Sequence, residues 1–321
     1  MAAAREERIK IWLRKPELEC LTCLCEKGGF GLILEEQEES KILADGLRGL
    51  TDENMEKLRT GVALQLWDKK FVRFDGGEKL EHASGITPYF VDGRDIMSDH
   101  TLETGIAILA ADQVIKSGKD FDHITGVLTG STSLANRVGD ILGIPKLLIK
   151  EEPREHGAER LVNARSTGEN LLMIEDLLVT GGSLFRNIDR AYKGGFNTTL
   201  AVAIWDREEG ASLNAETREV NLQSLFTRTQ IFGILDEYRP GVITSEMRES
   251  VRSYADLVRK EQGLPSVREE KIMSREERRV FAEERRGQLR QVEKPSHRMR
   301  VLAAVAVGAL VVGAATCLWG R

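Results

Sequence analysis

The chain has 321 residues and is poor in cysteine, histidine and aromatic side chains, and each shortage excludes something. Four cysteines cannot staple a chain of this length, so no disulfide framework is expected and a reducing compartment is the default. Cys20, Cys23 and Cys25 form a C-x-x-C-x-C cluster, but no histidine precedes His82 to complete a tetrahedral zinc site. The cluster therefore reads first as small apolar thiols. Excess positive charge is also missing: the formal net charge is −5, which argues against a surface for nucleic acid. Neither a Walker A sequence nor a G-x-G-x-x-G fingerprint occurs. Arg5, Glu6, Glu7 and Arg8 leave no apolar run at the start, so no secretory signal is expected.

What is present is a sizeable apolar fraction, 41%, distributed in short alternating patterns. Residues 1–50 match no clear pattern and are read as an extension of unknown role. From Thr51 the signals sharpen. Thr51 and Asp52 can cap a helix whose apolar positions Met55, Leu58, Val62 and Leu66 recur every three to four residues. Short strands are predicted at Phe71–Phe74 and Tyr89–Val91, around a Gly76-Gly77 turn. Helix and strand then alternate: helix Thr101–Lys116, strand Ile124–Leu128, helix Leu134–Leu142, strand Lys146–Ile149, strand Leu171–Ile174, helix Ser183–Tyr192 and strand Thr199–Trp205. This pattern predicts an α/β domain over 51–260, a parallel sheet flanked by helices on both faces. Ligands then belong at the carboxyl ends of its strands.

After Gly263 the composition turns to Arg and Glu, and Ser274 with Glu277 predicts a capping box opening a charged helical linker within 261–297. Val301–Trp319 is nineteen residues without a charge, flanked by Arg298, Arg300 and Arg321. At about 1.5 Å per residue this stretch just spans a hydrocarbon core, so 298–321 is expected to be a C-terminal transmembrane helix. Such a tail anchor would hold the protein at a membrane with the α/β domain facing the cytosol. A buried terminal helix is the alternative, because Ala and Gly make the stretch only moderately hydrophobic.

The most informative run is Leu171-Leu172-Met173-Ile174-Glu175-Asp176-Leu177-Leu178-Val179-Thr180-Gly181-Gly182-Ser183. A buried strand opens here onto a helix amino terminus through a small, hydroxyl-bearing turn. Its backbone N–H groups, the helix dipole and the Thr180 and Ser183 hydroxyls make a cradle for a phosphate monoester. Glu175 and Asp176 would repel a bare phosphate beside them, and suit a sugar diol or Mg²⁺ instead. Thr129-Gly130-Ser131-Thr132 likewise lies between a strand and a helix, and can receive a second anion or simply cap that helix.

The run resembles the phosphoribosyl pyrophosphate (PRPP) motif of type I phosphoribosyltransferases. In that family the two acids hold the ribose hydroxyls, and the loop, here Val179, Thr180, Gly181, Gly182 and Ser183, holds the 5′-phosphate. Further segments resemble orotate phosphoribosyltransferases in particular. Ser84-Gly85-Ile86-Thr87-Pro88-Tyr89-Phe90 is similar to a segment lining the pyrimidine pocket, and Asp206-Arg207-Glu208-Glu209-Gly210 to one whose arginine meets orotate. Thr129–Thr132 corresponds to the pyrophosphate loop. Lys150-Glu151-Glu152-Pro153-Arg154-Glu155-His156-Gly157 resembles the mobile catalytic loop.

The resemblance implies a type I phosphoribosyltransferase-like sheet with a small N-terminal hood region. It also implies transfer of phosphoribosyl from PRPP to orotate, giving orotidine 5′-monophosphate and pyrophosphate in pyrimidine synthesis. Lys150, Arg154 and His156 are then the catalytic candidates, and Tyr89, Phe90 and Arg207 the orotate-binding ones. Mg²⁺ is implied as cofactor, held mainly through PRPP with Asp176 as a further ligand, as is a homodimer with shared active sites. Two departures from the family pattern, Glu151 and Ala83 where it has lysines, imply weakened turnover. A transferase acting on another base, and a PRPP- or nucleotide-binding pseudoenzyme, remain as alternatives.

Overall fold

The Thr51 hydroxyl accepts from the Asn54 amide at 3.2 Å and so caps α1, Asp52–Asp68, at the predicted position. The computed structural model describes residues 51–74, 86–96, 98–128, 130–150, 162 and 168–292. α1 buries Met55, Leu58, Val62 and Leu66, the four positions its periodicity assigns to the core. An antiparallel pair follows, β1 (Val72–Arg73) with β2 (Phe90–Val91). Next come α2 (Gly93–Ile96) and α3 (His100–Lys116), the latter capped by Asp99.

The main sheet and its helices alternate from there: β3 (His123–Gly126), α4 (Thr132–Leu142), β4 (Asn170–Leu178), α5 (Gly182–Lys193), β5 (Asn197–Asp206), α6 (Ala211–Thr217) and β6 (Leu222–Thr227). Three helices close this unit: α7 (Arg228–Tyr238), α8 (Ser245–Glu261) and α9 (Val267–Ile272). The strands pair in parallel in the order β3-β4-β5-β6. Successive residues of a strand face opposite sides, and β4 and β5 use both. Leu172, Ile174, Leu200 and Val202 enter a core shared with α1, α3, α4 and α7. Leu171, Met173, Ala201 and Ala203 enter a second core built with α5 and α6. Helices therefore cover both faces, as the near-continuous apolar strands predict.

The sequence and the structure differ in several places. The expected strand Lys146–Ile149 reduces to isolated bridges, Lys146 with Ile124 and Ile149 with Val162. Pro145 has no amide to donate and only accepts, from the Ile124 amide at 2.9 Å. β4 runs four residues beyond its expected end and carries both acids. The sequence reading also passed over β6, α7 and α8.

The chain divides at Ile272/Met273 into two compact units. In the second, α10 (Arg275–Val292) carries the predicted capping box: the Glu277 amide donates to Ser274 Oγ at 3.2 Å, and the Ser274 amide to Glu277 Oε2 at 2.7 Å.

The expected C-terminal transmembrane helix requires correction. Among the described residues no helix is long and apolar enough to cross a membrane. The last of them, α10, is long enough in residues but too densely charged for hydrocarbon. Among the described residues the fold class is thus the parallel α/β sheet with no membrane-spanning helix, and the stretch 301–319 lies outside them. So do residues 1–50 with their cysteine cluster, the Gly76-Gly77 turn, Ala83, Thr129 and the segment 151–161 with Arg154 and His156.

Candidate active site

Three of the parallel strands end at one edge of the sheet in loops that each open a helix: β3 into α4, β4 into α5 and β5 into α6. β4 supplies the acids. Both sit within the strand, and their carboxyls meet different neighbours while staying within reach of each other. Glu175 faces α5 and is buried, its carboxyl accepting from Ser183 Oγ at 3.1 Å and from the Asp176 amide at 3.2 Å. Burial, reinforced by the hydrogen bond and charge of Asp176, pushes the Glu175 carboxyl well above the usual carboxylate range. Asp176 is half-buried, its carboxyl in a notch between Gly93 and Gly130. Its Oδ1 accepts from the Leu177 amide at 2.9 Å.

The loop after β4 is built as a cradle. Val179 and Thr180 are half-buried, and Gly181 adopts φ +83°, where any side chain would also strike the Phe185 ring. No side chain caps α5, so the amides of its first turn stay available. Gly182 is open on the side where the Arg186 guanidinium comes nearest, 3.4 Å from the position a Cβ would take. Arg186 was not among the sequence candidates. The signal was its place one helical turn beyond Gly182, on the same face.

The loop before α4 is less available than its hydroxyls suggest. Ser131 is buried with its Oγ 2.9 Å from both the Val127 and the Ile174 carbonyls, so that hydroxyl ties β3 to β4. Thr132 Oγ1 is a buried oxygen with no partner among the described residues. α4 also lacks a side-chain cap. Lys150 is half-buried and directly follows Ile149, whose bridge to Val162 brings the chain back beside the point where it left.

Arg207, just past the end of β5, is almost wholly buried. Its Nε donates to Glu209 Oε1 at 2.9 Å, its Nη2 to Thr87 Oγ1 at 2.6 Å, and its Cζ lies 4.3 Å from the centre of the Tyr89 ring. Thr87 in turn donates to the Tyr89 carbonyl at 2.8 Å. Burial raises the Glu209 carboxyl, and Arg207 with Arg228 pulls it back. Burial likewise raises the Tyr89 phenol.

Around this arginine the Tyr89 and Tyr254 hydroxyls, Glu209 Oε2 and Arg228 Nη1 are buried without partners among the described residues. Unspent donors and acceptors of this kind are costly unless something meets them. Tyr89 and Arg207 thus come together, whereas Phe90 leaves the other side of its strand, 4.7 Å beneath Arg73. Glu209 and Thr87, the two residues that hold the arginine, are not among the orotate-binding residues the sequence points to. Their signal was membership of the two segments quoted for the base pocket.

Adjacent acids preceding a glycine cradle, at the carboxyl edge of a parallel sheet, are the arrangement of a type I phosphoribosyltransferase. No family model matches the chain. It aligns at 31% identity over 170 residues with orotate phosphoribosyltransferase of Sulfolobus acidocaldarius, covering 53% of this chain and 84% of the relative. With the Caenorhabditis elegans orotate phosphoribosyltransferase the identity is 28% over 159 residues, 49% of this chain and 70% of the relative. The solved structure of Leishmania donovani UMP synthase shares the fold, with a TM-score of 0.53 at 19% identity, over 70% of this chain and 47% of that one. The chain belongs to the orotate phosphoribosyltransferase family.

Proposed function

We propose that this chain transfers the ribose 5-phosphate group of PRPP to orotate, forming orotidine 5′-monophosphate and pyrophosphate in pyrimidine synthesis. The observation that carries the reading is that one short loop joins Asp176, its carboxyl in the Gly93–Gly130 notch, to the uncapped start of α5. A carboxylate followed by an anion-binding helix terminus suits a sugar phosphate, which is anionic at one end and a hydroxyl donor in the middle.

In this reading the amides of Gly182 and Ser183 bind the 5′-phosphate and Asp176 accepts from a ribose hydroxyl. Glu175 orients Ser183. The ring nitrogen of orotate forms its bond to C1 of the ribose as the C1–oxygen bond breaks, the electron pair leaving on pyrophosphate and the nitrogen's proton passing to solvent or to the departing pyrophosphate. Charge developing there calls for preorganised cations and amides. The family resemblance assigns part of it to the first turn of α4 with Thr132 and the rest to Lys150, Arg154 and His156. At the base end, the Arg207 fork, with Tyr89 beneath it, suits carbonyl and carboxylate acceptors.

Mg²⁺ fits this donor set. Among the described residues no cluster of three or more ligating side chains occurs, and a site of one or two carboxylates completed by substrate phosphates is the usual Mg²⁺ arrangement. Asp176 would hold it on the protein side. When bound, the ion neutralises charge on the pyrophosphate oxygens. The resemblance also supports a homodimer in which the segment around residues 150–157 reaches the partner's site.

Incubating the protein with PRPP, Mg²⁺ and a panel of pyrimidine and purine bases tests the proposal. Orotidine 5′-monophosphate should form with orotate and not in an Asp176→Ala control. Turnover only with another base, or tight PRPP binding with no turnover, would overturn it.

A further inference from the structure

We infer that Gln262, at the carboxyl end of α8, is a positioning residue that ties the base-binding turn and the phosphate cradle to one anchor; the inference rests on the site assignment proposed above. Gln262 Nε2 donates to the Glu209 carbonyl at 3.0 Å and to the Val258 carbonyl of its own helix at 2.9 Å. With both of those partners carbonyls, the amide orientation is fixed and Oε1 must face the other way. There it accepts from Asn214 Nδ2 at 2.8 Å. The same Asn214 nitrogen donates to the Thr180 carbonyl at 3.0 Å, inside the cradle. Two side chains therefore connect the turn that carries Arg207 to the loop that would grip the phosphate.

The surroundings make this connection stiff. Gly210, at φ +119°, lies so near α8 that a Cβ would stand 2.5 Å from Leu264 Cδ1 and 3.2 Å from the Gln262 amide. Arg259, one helical turn before Gln262 and almost fully buried, donates to the Glu208 carbonyl at 3.0 Å, to the Pro265 carbonyl at 2.7 Å and to Glu270. Glu208 itself adopts φ +58°, a conformation that a side-chain-bearing residue keeps only when its neighbours enforce it. Consecutive carbonyls of the turn, at Glu208 and Glu209, are thus held from α8. Its end is the frame against which acceptor and donor subsites keep their spacing, and small errors in such spacing slow a displacement steeply.

The arrangement predicts a split that loss of stability alone would not give. Asn214→Ala removes both Asn214 hydrogen bonds, to Thr180 and to Gln262, but leaves Gln262 on the Glu209 carbonyl, so ribose 5-phosphate affinity should fall about 3- to 30-fold while orotate affinity stays within about 2-fold. Gln262→Glu keeps an acceptor for Asn214 but loses the donor to the Glu209 carbonyl, so the pattern should invert. Gln262→Ala should weaken both ligands. Calorimetric titration of each variant with ribose 5-phosphate and with orotate reads this directly. Equal weakening of both ligands in all three variants, or no change in any, would overturn the inference. Hydrogen exchange separates its failure from that of the site assignment. If the parent protein binds neither ligand, the assignment fails, and the relay stands only if Gln262→Ala speeds exchange at the Glu208 and Phe185 amides while Val127 is unchanged. Unchanged exchange at Glu208 and Phe185 removes the relay as well.

Discussion

A Cβ at Gly130 would overlap Asp176 Oδ2, and one at Gly93 would stand 2.8 Å from it, so the Asp176 carboxyl fills a notch that two glycines leave open. Gly130→Ala should turn the carboxyl out of that notch without disturbing β4. Losing one hydrogen bond to a charged group corresponds to about 10- to 100-fold in affinity for ribose 5-phosphate. Titration calorimetry checks this, with circular dichroism to show that the fold persists; unchanged affinity would contradict it.

Arg186 offers the cradle its nearest side-chain cation. Arg186→Ala should weaken ribose 5-phosphate by about 3- to 10-fold, with a smaller loss in high salt because an exposed charge is screened. Equal losses at low and high salt would mean that the arginine acts by packing instead.

Asp206 carries a pH signature. Its carboxyl accepts from the Glu208 amide at 2.7 Å and from Ser212 Oγ at 2.9 Å, yet burial pushes it up to about 6. A carboxyl that holds its proton more tightly when folded stabilises the fold at low pH and loses that contribution as the pH rises. The loss should run from about pH 4 to pH 6 and amount to at most about 3 kcal/mol. Asp206→Asn keeps an acceptor for the amide and removes the titration. Urea unfolding across this window should show the variant gaining on the parent as pH rises, whereas parallel curves would refute the assignment.

Much of this was legible in the sequence wherever local rules and tertiary packing agree. Thr51 caps its helix, the Leu171–Ile174 run is a buried strand, and Gly181 takes the left-handed turn that opens α5. The acids were found, but their relation was not. Adjacent residues read as one pair from spacing alone, and only the structure shows that one carboxyl holds Ser183 while the other fills the Gly93–Gly130 notch. Arg207 was recognisable by its segment, yet its burial against Thr87 and Glu209 depends on a contact 120 residues away in sequence. The Asn214–Gln262 link joins residues 48 apart whose types are ordinary on any helix surface. The uncharged stretch after Arg300 was weighed by length and charge alone, and among the described residues no helix is long and apolar enough to cross a membrane.

The account depends most on Asp176 as the group that meets the sugar. Asp176→Asn preserves size and removes the charge, so titration with ribose 5-phosphate isolates that role. The parent protein should bind, and the variant should bind about 10- to 100-fold more weakly with an unchanged thermal midpoint. Equal binding by parent and variant would contradict the account.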